Sequence, residues 1–176
     1  AKNVTAPLPG AGLVTVTIPP GTPDGFFWIS TNAASAPEDI SKNALDDATA
    51  RLTEATLVTG YIVELHLFDV FGNASTAALP SPARVTMTYP DAAGDGIVDG
   101  TSVRVNSLRL YGLDTAGLLW NLVQNSTLNA GPKTVHADIP HFSFYALGGD
   151  DAAESFKGIA LSTASIQWKW PAVAGV

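Results

Sequence analysis

A period-two alternation of apolar and polar residues recurs along this chain in short stretches, each ended by Gly, Pro, Asn or Asp, and it limits the possible folds more than any other feature. "GLVTVTIPPG" sets Val14, Val16 and Ile18 in phase, leaves Leu13 out of phase, and stops at Pro19-Pro20-Gly21, which cannot continue a ladder. "GYIVELHLFDVFGN" puts Tyr61, Val63, Leu65 and Leu67 on one face and Ile62, Glu64, His66 and Phe68 on the other, then turns at Gly72-Asn73. "ARVTMTYP" aligns Val85, Met87 and Tyr89 against Arg84, Thr86 and Thr88. Successive side chains of a strand point to opposite faces, so each stretch offers one oily face that another layer must cover. Many such strands with turn signals between them predict an all-β fold, a β-sandwich.

Further strands are expected in "TSVRVNSLRLYGL", "GLLWNLV", "KTVHADI" and "HFSFYAL". In the first of these the parity shifts from Val103 and Val105 to Leu108 and Leu110, which predicts a bulge or bend near Asn106-Ser107. One segment departs from the rule. "SKNALDDATARLTEA" carries Leu45, Ala48, Leu52 and Ala55 at helical spacing behind Ser41 or Asn43 as N-cap, and predicts one short helix across an end of the sandwich. The sandwich is expected over residues 1–147, and the small, acidic "GGDDAAESFKG" reads as a linker over 148–158. Residues 159–176 then form either the start of a second β-module or one more strand of the same body.

Charge narrows the partners. Nine basic residues against sixteen acidic ones give a net charge of −7 over 176 residues, and no basic cluster could follow a phosphate backbone, so nucleic acid is not expected. No run of about eighteen apolar residues is present for a membrane-spanning helix. The absence of cysteine removes disulfides, thiolate metal sites and cysteine nucleophiles. With only 14% charged residues, and many Thr, Ser, Ala, Gly and Pro, the composition is that of an exported bacterial module, extracellular or on the cell surface. The expected partners are neighbouring β-domains of the same polypeptide.

The triplet His141-Phe142-Ser143 offers chemistry. A serine hydroxyl becomes a useful nucleophile when a neighbouring base takes its proton. In an extended strand residues i and i+2 share a face, so His141 and Ser143 would stand side by side. The nearest carbonyl to Ser143 Oγ along the chain is that of Phe142. Attack there is an N-to-O acyl shift that turns the Phe142–Ser143 amide into an ester, which water then hydrolyses. An ester is less stable than an amide, so the step needs a push. A distorted peptide supplies on the order of 1–3 kcal/mol, and the intramolecular geometry removes the entropy cost of encounter. The plain alternative is a strand with Phe142, Phe144 and Ala146 in the core and His141, Ser143 and Tyr145 on the other face.

"HFS" near the end of a β-sandwich of this length resembles the self-cleaving site of the ZU-five type domains of netrin receptors, ankyrins and death-domain scaffold proteins. Self-cleaving nuclear-pore proteins use a similar triplet on another fold. "GAGLVTVTIPPGT", "RVTMTYPDAAGDGIVDG", "LRLYGLDTAGLLWNLV" and "TVHADIPHFSFYAL" resemble strands of such a domain in the expected order, over roughly residues 10 to 147. The resemblance implies that His141 is the general base, Phe142 supplies the scissile carbonyl and Ser143 is the nucleophile of a single-turnover autoprotease; it also covers domains that keep the fold without cleaving. The tail "IALSTASIQWKWPAVAGV", with Ile166, Trp168 and Trp170 in phase, resembles the opening strands of a fibronectin type III module.

A second motif is "DAAGDGIVDG". Asp91, Asp95, Gly96 and Asp99 fall at positions one, five, six and nine of a calcium loop, but Ala93 and Ser102 stand at three and twelve, where acidic ligands belong. The alternative is an Asp/Gly turn between two strands. Calcium is the cofactor this chain would take, if it takes one. His66 and His136 read as solvated strand residues, and no third partner at metal spacing joins His136 and His141, so zinc is not expected there. Phe26-Phe27-Trp28-Ile29 and Trp120 read as core. There is no G-x-S-x-G elbow, phosphate-binding glycine loop or H-E-x-x-H. Two functions follow: self-processing between Phe142 and Ser143, or a non-catalytic structural or adhesive module, with or without a calcium loop.

Overall fold

The structure is a computed structural model that describes residues 1–22, 25–75 and 78–152. The alternating stretches form two antiparallel sheets packed face to face, with one short helix. In the first sheet the order is β1 (Lys2–Pro7), β2 (Leu13–Ile18), β6 (Ala83–Thr88), β10 (Thr134–Ile139) and β9 (Thr127–Asn129). In the second it is β3 (Phe26–Ser30), β4 (Thr56–Phe68), β11 (Phe144–Gly149), β7 (Arg109–Asp114) and β8 (Leu119–Leu122), and the two-residue β5 (Ala74–Ser75) pairs with β4.

The predicted oily faces meet between the sheets. Val14, Val16, Val85, Met87, Val135 and Ile139 from the first sheet share a core with Tyr61, Val63, Leu65, Leu110, Tyr145 and Leu147 from the second. Leu13, out of phase, is exposed. The helix α1 (Lys42–Arg51) starts where its cap was expected: Ser41 Oγ accepts from the Ala44 N–H at 3.2 Å. It does not cross an end of the sandwich. Leu45 and Ala48 pack with Tyr111, Leu113, Trp120, Phe144 and Ala146, the outward residues of the second sheet, and Trp120 Nε1 donates to Thr49 Oγ1 at 3.2 Å. The second sheet is therefore covered on both sides, and all six residues of β11 are buried.

The bend expected near Asn106-Ser107 is a 3-10 turn over Val105–Ser107, and Val103 forms an isolated bridge with Asp151. Two further boundaries differ from the sequence reading. The expected linker begins too early. Gly148 and Gly149 are the last residues of β11, and the chain stays tied beyond them by Arg104 N–H to Asp150 O at 2.9 Å and Ala152 N–H to Ser102 O at 2.7 Å. Residues 153–158 of that linker, and the added strand or second module at 159–176, lie outside the described residues. The run Phe26 to Ile29 is not fully core, because β3 is an edge strand: Phe26 is exposed and Phe27 turns inward.

β4 needs one glycine. Ala146 of β11 faces Ile62 while Gly148 faces Leu57, so β4 bulges between them, and Gly60 in the bulge has φ +80°. A Cβ there would also lie 2.7 Å from the Gly10 nitrogen.

Candidate functional site

β10 belongs to the first sheet and β11 to the second, so Pro140 to Ser143 form the corner by which the chain crosses the sandwich. Two faced sheets stand about 10 Å apart, and a chain that spans that gap in four residues has to leave the pleat. Proline, without an N–H, ends the β10 ladder at this point. The Phe142 ring turns into the inter-sheet core against Phe27, with ring centroids 4.8 Å apart at 55°. Phe144 points the other way, into the cluster under the helix, and Tyr145 returns to the inter-sheet core.

Strand geometry therefore does not govern the triplet. The reading that put Phe142 and Phe144 on one face, with His141, Ser143 and Tyr145 on the other, fails because β11 begins only at Phe144. His141 and Ser143 share no hydrogen bond. His141 Nδ1 instead lies 3.3 Å from the Phe142 carbonyl oxygen. A carbonyl only accepts, so this contact is a hydrogen bond when Nδ1 carries a proton. Ser143 Oγ donates to Leu113 O at 3.2 Å. None of the three residues has a positive φ.

The backbone around the triplet is fastened on each side. Leu79 N–H donates to Pro140 O at 2.7 Å, Tyr145 Oη–H to His141 O at 2.7 Å and Leu65 N–H to Ser143 O at 2.9 Å. Burial raises the pKa of the Tyr145 hydroxyl well above the ordinary phenol value, so it stays a donor. A groove of about 480 Å³ opens on the triplet, lined by His141, Phe142 and Ser143 with Leu113, Asp114 and Asn121. All three residues of the triplet thus border the same groove.

A second cluster went unread in the sequence. Glu64 and His66, on the outward face of β4, are not solvated: Glu64 is fully buried and His66 only 7% exposed. The loop between β3 and α1 covers them. Glu64 Oε2 accepts from Glu38 N–H at 2.9 Å, and Oε1 from Asp39 N–H at 2.8 Å and Glu38 N–H at 3.1 Å. His66 Nε2 lies 3.4 Å from Glu64 Oε1, and its Nδ1 3.7 Å from Asp39 Oδ2. The imidazole is sandwiched between Trp28 and Phe68, at ring distances of 5.2 and 5.5 Å. The signal was present as E-x-H on one strand face, the same i, i+2 relation that does not hold at the triplet.

The aspartates of "DAAGDGIVDG" serve their own turn. Asp95 Oδ1 accepts from Ile97 N–H and Asp99 Oδ2 from Ala92 N–H, each at 2.9 Å, while Asp91 Oδ1 is buried with no hydrogen-bond partner. Asp91, Asp95 and Asp99 are not brought together as a ligand group; among the described residues only Asp39, Glu64 and His66 place three donor atoms within 4.8 Å of one another. His136 contacts Asn129 on the neighbouring strand. Among the described residues no helix is long and apolar enough to cross a membrane. Searches against protein-family models, curated proteins and solved structures return no match to the chain.

Proposed function

We propose that this chain is a self-processing β-sandwich that cleaves its own backbone once, between Phe142 and Ser143. The observation that carries the reading is His141 Nδ1 held 3.3 Å from the carbonyl oxygen of the residue before a serine, where it donates when it carries a proton, at a corner that lines a groove. Ser143 Oγ attacks the Phe142 carbonyl carbon, and its proton leaves to water in the groove. The oxyanion on Phe142 O meets the His141 N–H, the kind of donor that lowers such barriers most. The Phe142 C–Ser143 N bond then breaks as the nitrogen takes up a proton, leaving an ester between Phe142 and Ser143 Oγ. Water attacks that ester, giving a Phe142 carboxylate, the Ser143 hydroxyl and a new amino terminus.

This assigns His141, itself an exposed residue, first as the electrophile on the carbonyl. It departs from a general base resting on the serine. The resemblance to ZU-five type domains supports the same bond, as does the place of the triplet immediately before the last described strand. Composition supports an exported parent, extracellular or on the cell surface, and we take neighbouring β-domains of the same polypeptide as its partners.

A non-catalytic structural module is the second reading, and one contact favours it: Ser143 Oγ is already satisfied by Leu113 O. Intact mass under denaturing conditions separates the two. Self-processing gives fragments 1–142 and 143–176, with only full-length chain from Ser143→Ala and slowed conversion in His141→Ala. A wild-type chain that stays whole through prolonged incubation removes the first reading.

A further inference from the structure

The geometry points to a divalent transition-metal site, best suited to Zn²⁺, built from Asp39, Glu64 and His66 on the outer face of the second sheet. This site is independent of the cleavage reading. Two carboxylates alone would mark nothing, since acidic groups often gather on surfaces. What singles this place out is His66. Its ring is more than nine-tenths buried, and Nε2 has no hydrogen-bond partner although Glu64 Oε1 is 3.4 Å away. At that distance the N–H···O alignment of a hydrogen bond is missing. Two donors that each bind one tetrahedral zinc at about 2.0–2.1 Å stand about 3.3 Å apart, with lone pairs aimed at the ion rather than at each other. The observed spacing fits that arrangement.

Charge agrees. Among the described residues, no lysine or arginine forms an ion pair with Glu64 or Asp39, and His66 is the one basic side chain within 4 Å of either carboxylate. A dication placed between them would neutralise two acidic groups, one of them fully buried. Glu64 is oriented by the Glu38 and Asp39 N–H groups, and the His66 ring by Trp28 and Phe68, so two of the three donors are held before any ion arrives. Asp39 is half-exposed and free to turn its carboxylate. A cavity of about 350 Å³, lined by Asp39, His66, Ser75 and Thr115, gives the ion a way in and leaves room for water as a fourth ligand. Calcium and magnesium prefer six or more oxygen ligands or a full octahedron, which one imidazole and two carboxylates do not supply.

The test is calorimetric titration of the chelator-stripped wild-type chain with Zn²⁺, repeated with Co²⁺ to read its visible absorption. One ion per chain is expected, with no comparable binding of Ca²⁺ or Mg²⁺. Asp39→Asn should weaken binding about tenfold or more, and His66→Ala should abolish the Co²⁺ absorption. Asp95→Ala and His136→Ala should leave both signals unchanged. If His66→Ala fails to fold, Asp39→Asn still decides, because that side chain is half-exposed and accepts no hydrogen bond from the rest of the fold. The assignment is overturned by the absence of saturable Zn²⁺ binding, by binding indifferent to Asp39→Asn, or by binding lost in Asp95→Ala or His136→Ala.

Discussion

Replacing Glu64 with glutamine tests what holds the β3–α1 loop against the sheet. The carboxylate takes three N–H contacts from two consecutive backbone nitrogens, and it is fully buried, so no water can substitute. Glutamine is nearly isosteric, but only one of its two terminal atoms accepts. If its oxygen takes the place of Oε1 and serves both Glu38 and Asp39, its amide nitrogen falls where Oε2 sat, 2.9 Å from the Glu38 nitrogen, donor against donor. The reversed rotamer strands the Asp39 N–H in the same way. One charge-assisted bond is lost in either case, at about 1.5–3 kcal/mol, and the charge is lost from the bonds that remain. The expected destabilisation is about 2–3 kcal/mol, which for a body of this size lowers the melting temperature by about 5–10 °C. Thermal and urea unfolding with chelator present give the global figure and keep metal binding out of it. Amide hydrogen exchange gives the local one: the Glu38 and Asp39 amides should lose protection while those of β10 keep theirs. A variant within about 0.5 kcal/mol of wild type, with both amides still protected, would refute the argument.

Two other perturbations follow from the same structure. Burial raises the Tyr145 hydroxyl above its unfolded value, so the neutral phenol favours the folded state. That contribution is whole below about pH 10 and is lost as pH rises through the folded value, because the unfolded chain ionises first. Tyr145→Phe should therefore flatten the fall in stability above pH 10 while costing about 1 kcal/mol at neutral pH through the lost bond to His141 O, as pH-dependent urea titrations would show; an alkaline slope unchanged from wild type would count against it. Gly60→Ala forces a side chain onto φ +80° and its Cβ to 2.7 Å from the Gly10 backbone, and should cost at least about 2 kcal/mol in the same unfolding assay. Wild-type stability there would mean that the β4 bulge is misplaced.

The sandwich was legible wherever one face of a strand is oily and the other is not. Val14, Val16 and Ile18, or Tyr61, Val63, Leu65 and Leu67, declare their inward side by contrast with their neighbours, and Ser41 declares the helix start by its chemistry. Contrast vanishes when both faces are buried. Phe144 and Ala146 lie under the helix while Tyr145 and Leu147 lie between the sheets, so "FSFYAL" carries no mark of which residue faces which way. The corner at Pro140 to Ser143 was hidden for a related reason. Nothing local says that "VHADI" and "FYALGG" belong to opposite sheets, and that fact alone sets His141 against the Phe142 carbonyl instead of against Ser143. At Glu64 and His66 the polar face looked like a solvent face because its cover comes from a loop about twenty-five residues upstream. Period-two patterning sees the strand, and not what lies across it.

The position of the proposed cleavage also decides how it would show itself. The bond lies before β11, and β11 is the middle strand of the second sheet, hydrogen-bonded to β4 on one side and β7 on the other and buried on both faces. Breaking the Phe142–Ser143 peptide removes one covalent link from a strand held by two ladders and two hydrophobic clusters. The new carboxylate and amine would form beside the groove that the triplet lines. The Phe142 ring keeps its place against Phe27, and Ser143 O its bond to Leu65 N–H, so neither new end has to move for the fold to persist. The two pieces should therefore elute together from a sizing column and part only in denaturant. Once parted, β11 has to find its slot as a separate molecule, with the entropy cost of association added. Refolding of the cleaved form becomes concentration-dependent, whereas Ser143→Ala refolds as one chain. If both forms refold alike at every concentration, the strand was never severed from the sheet it completes.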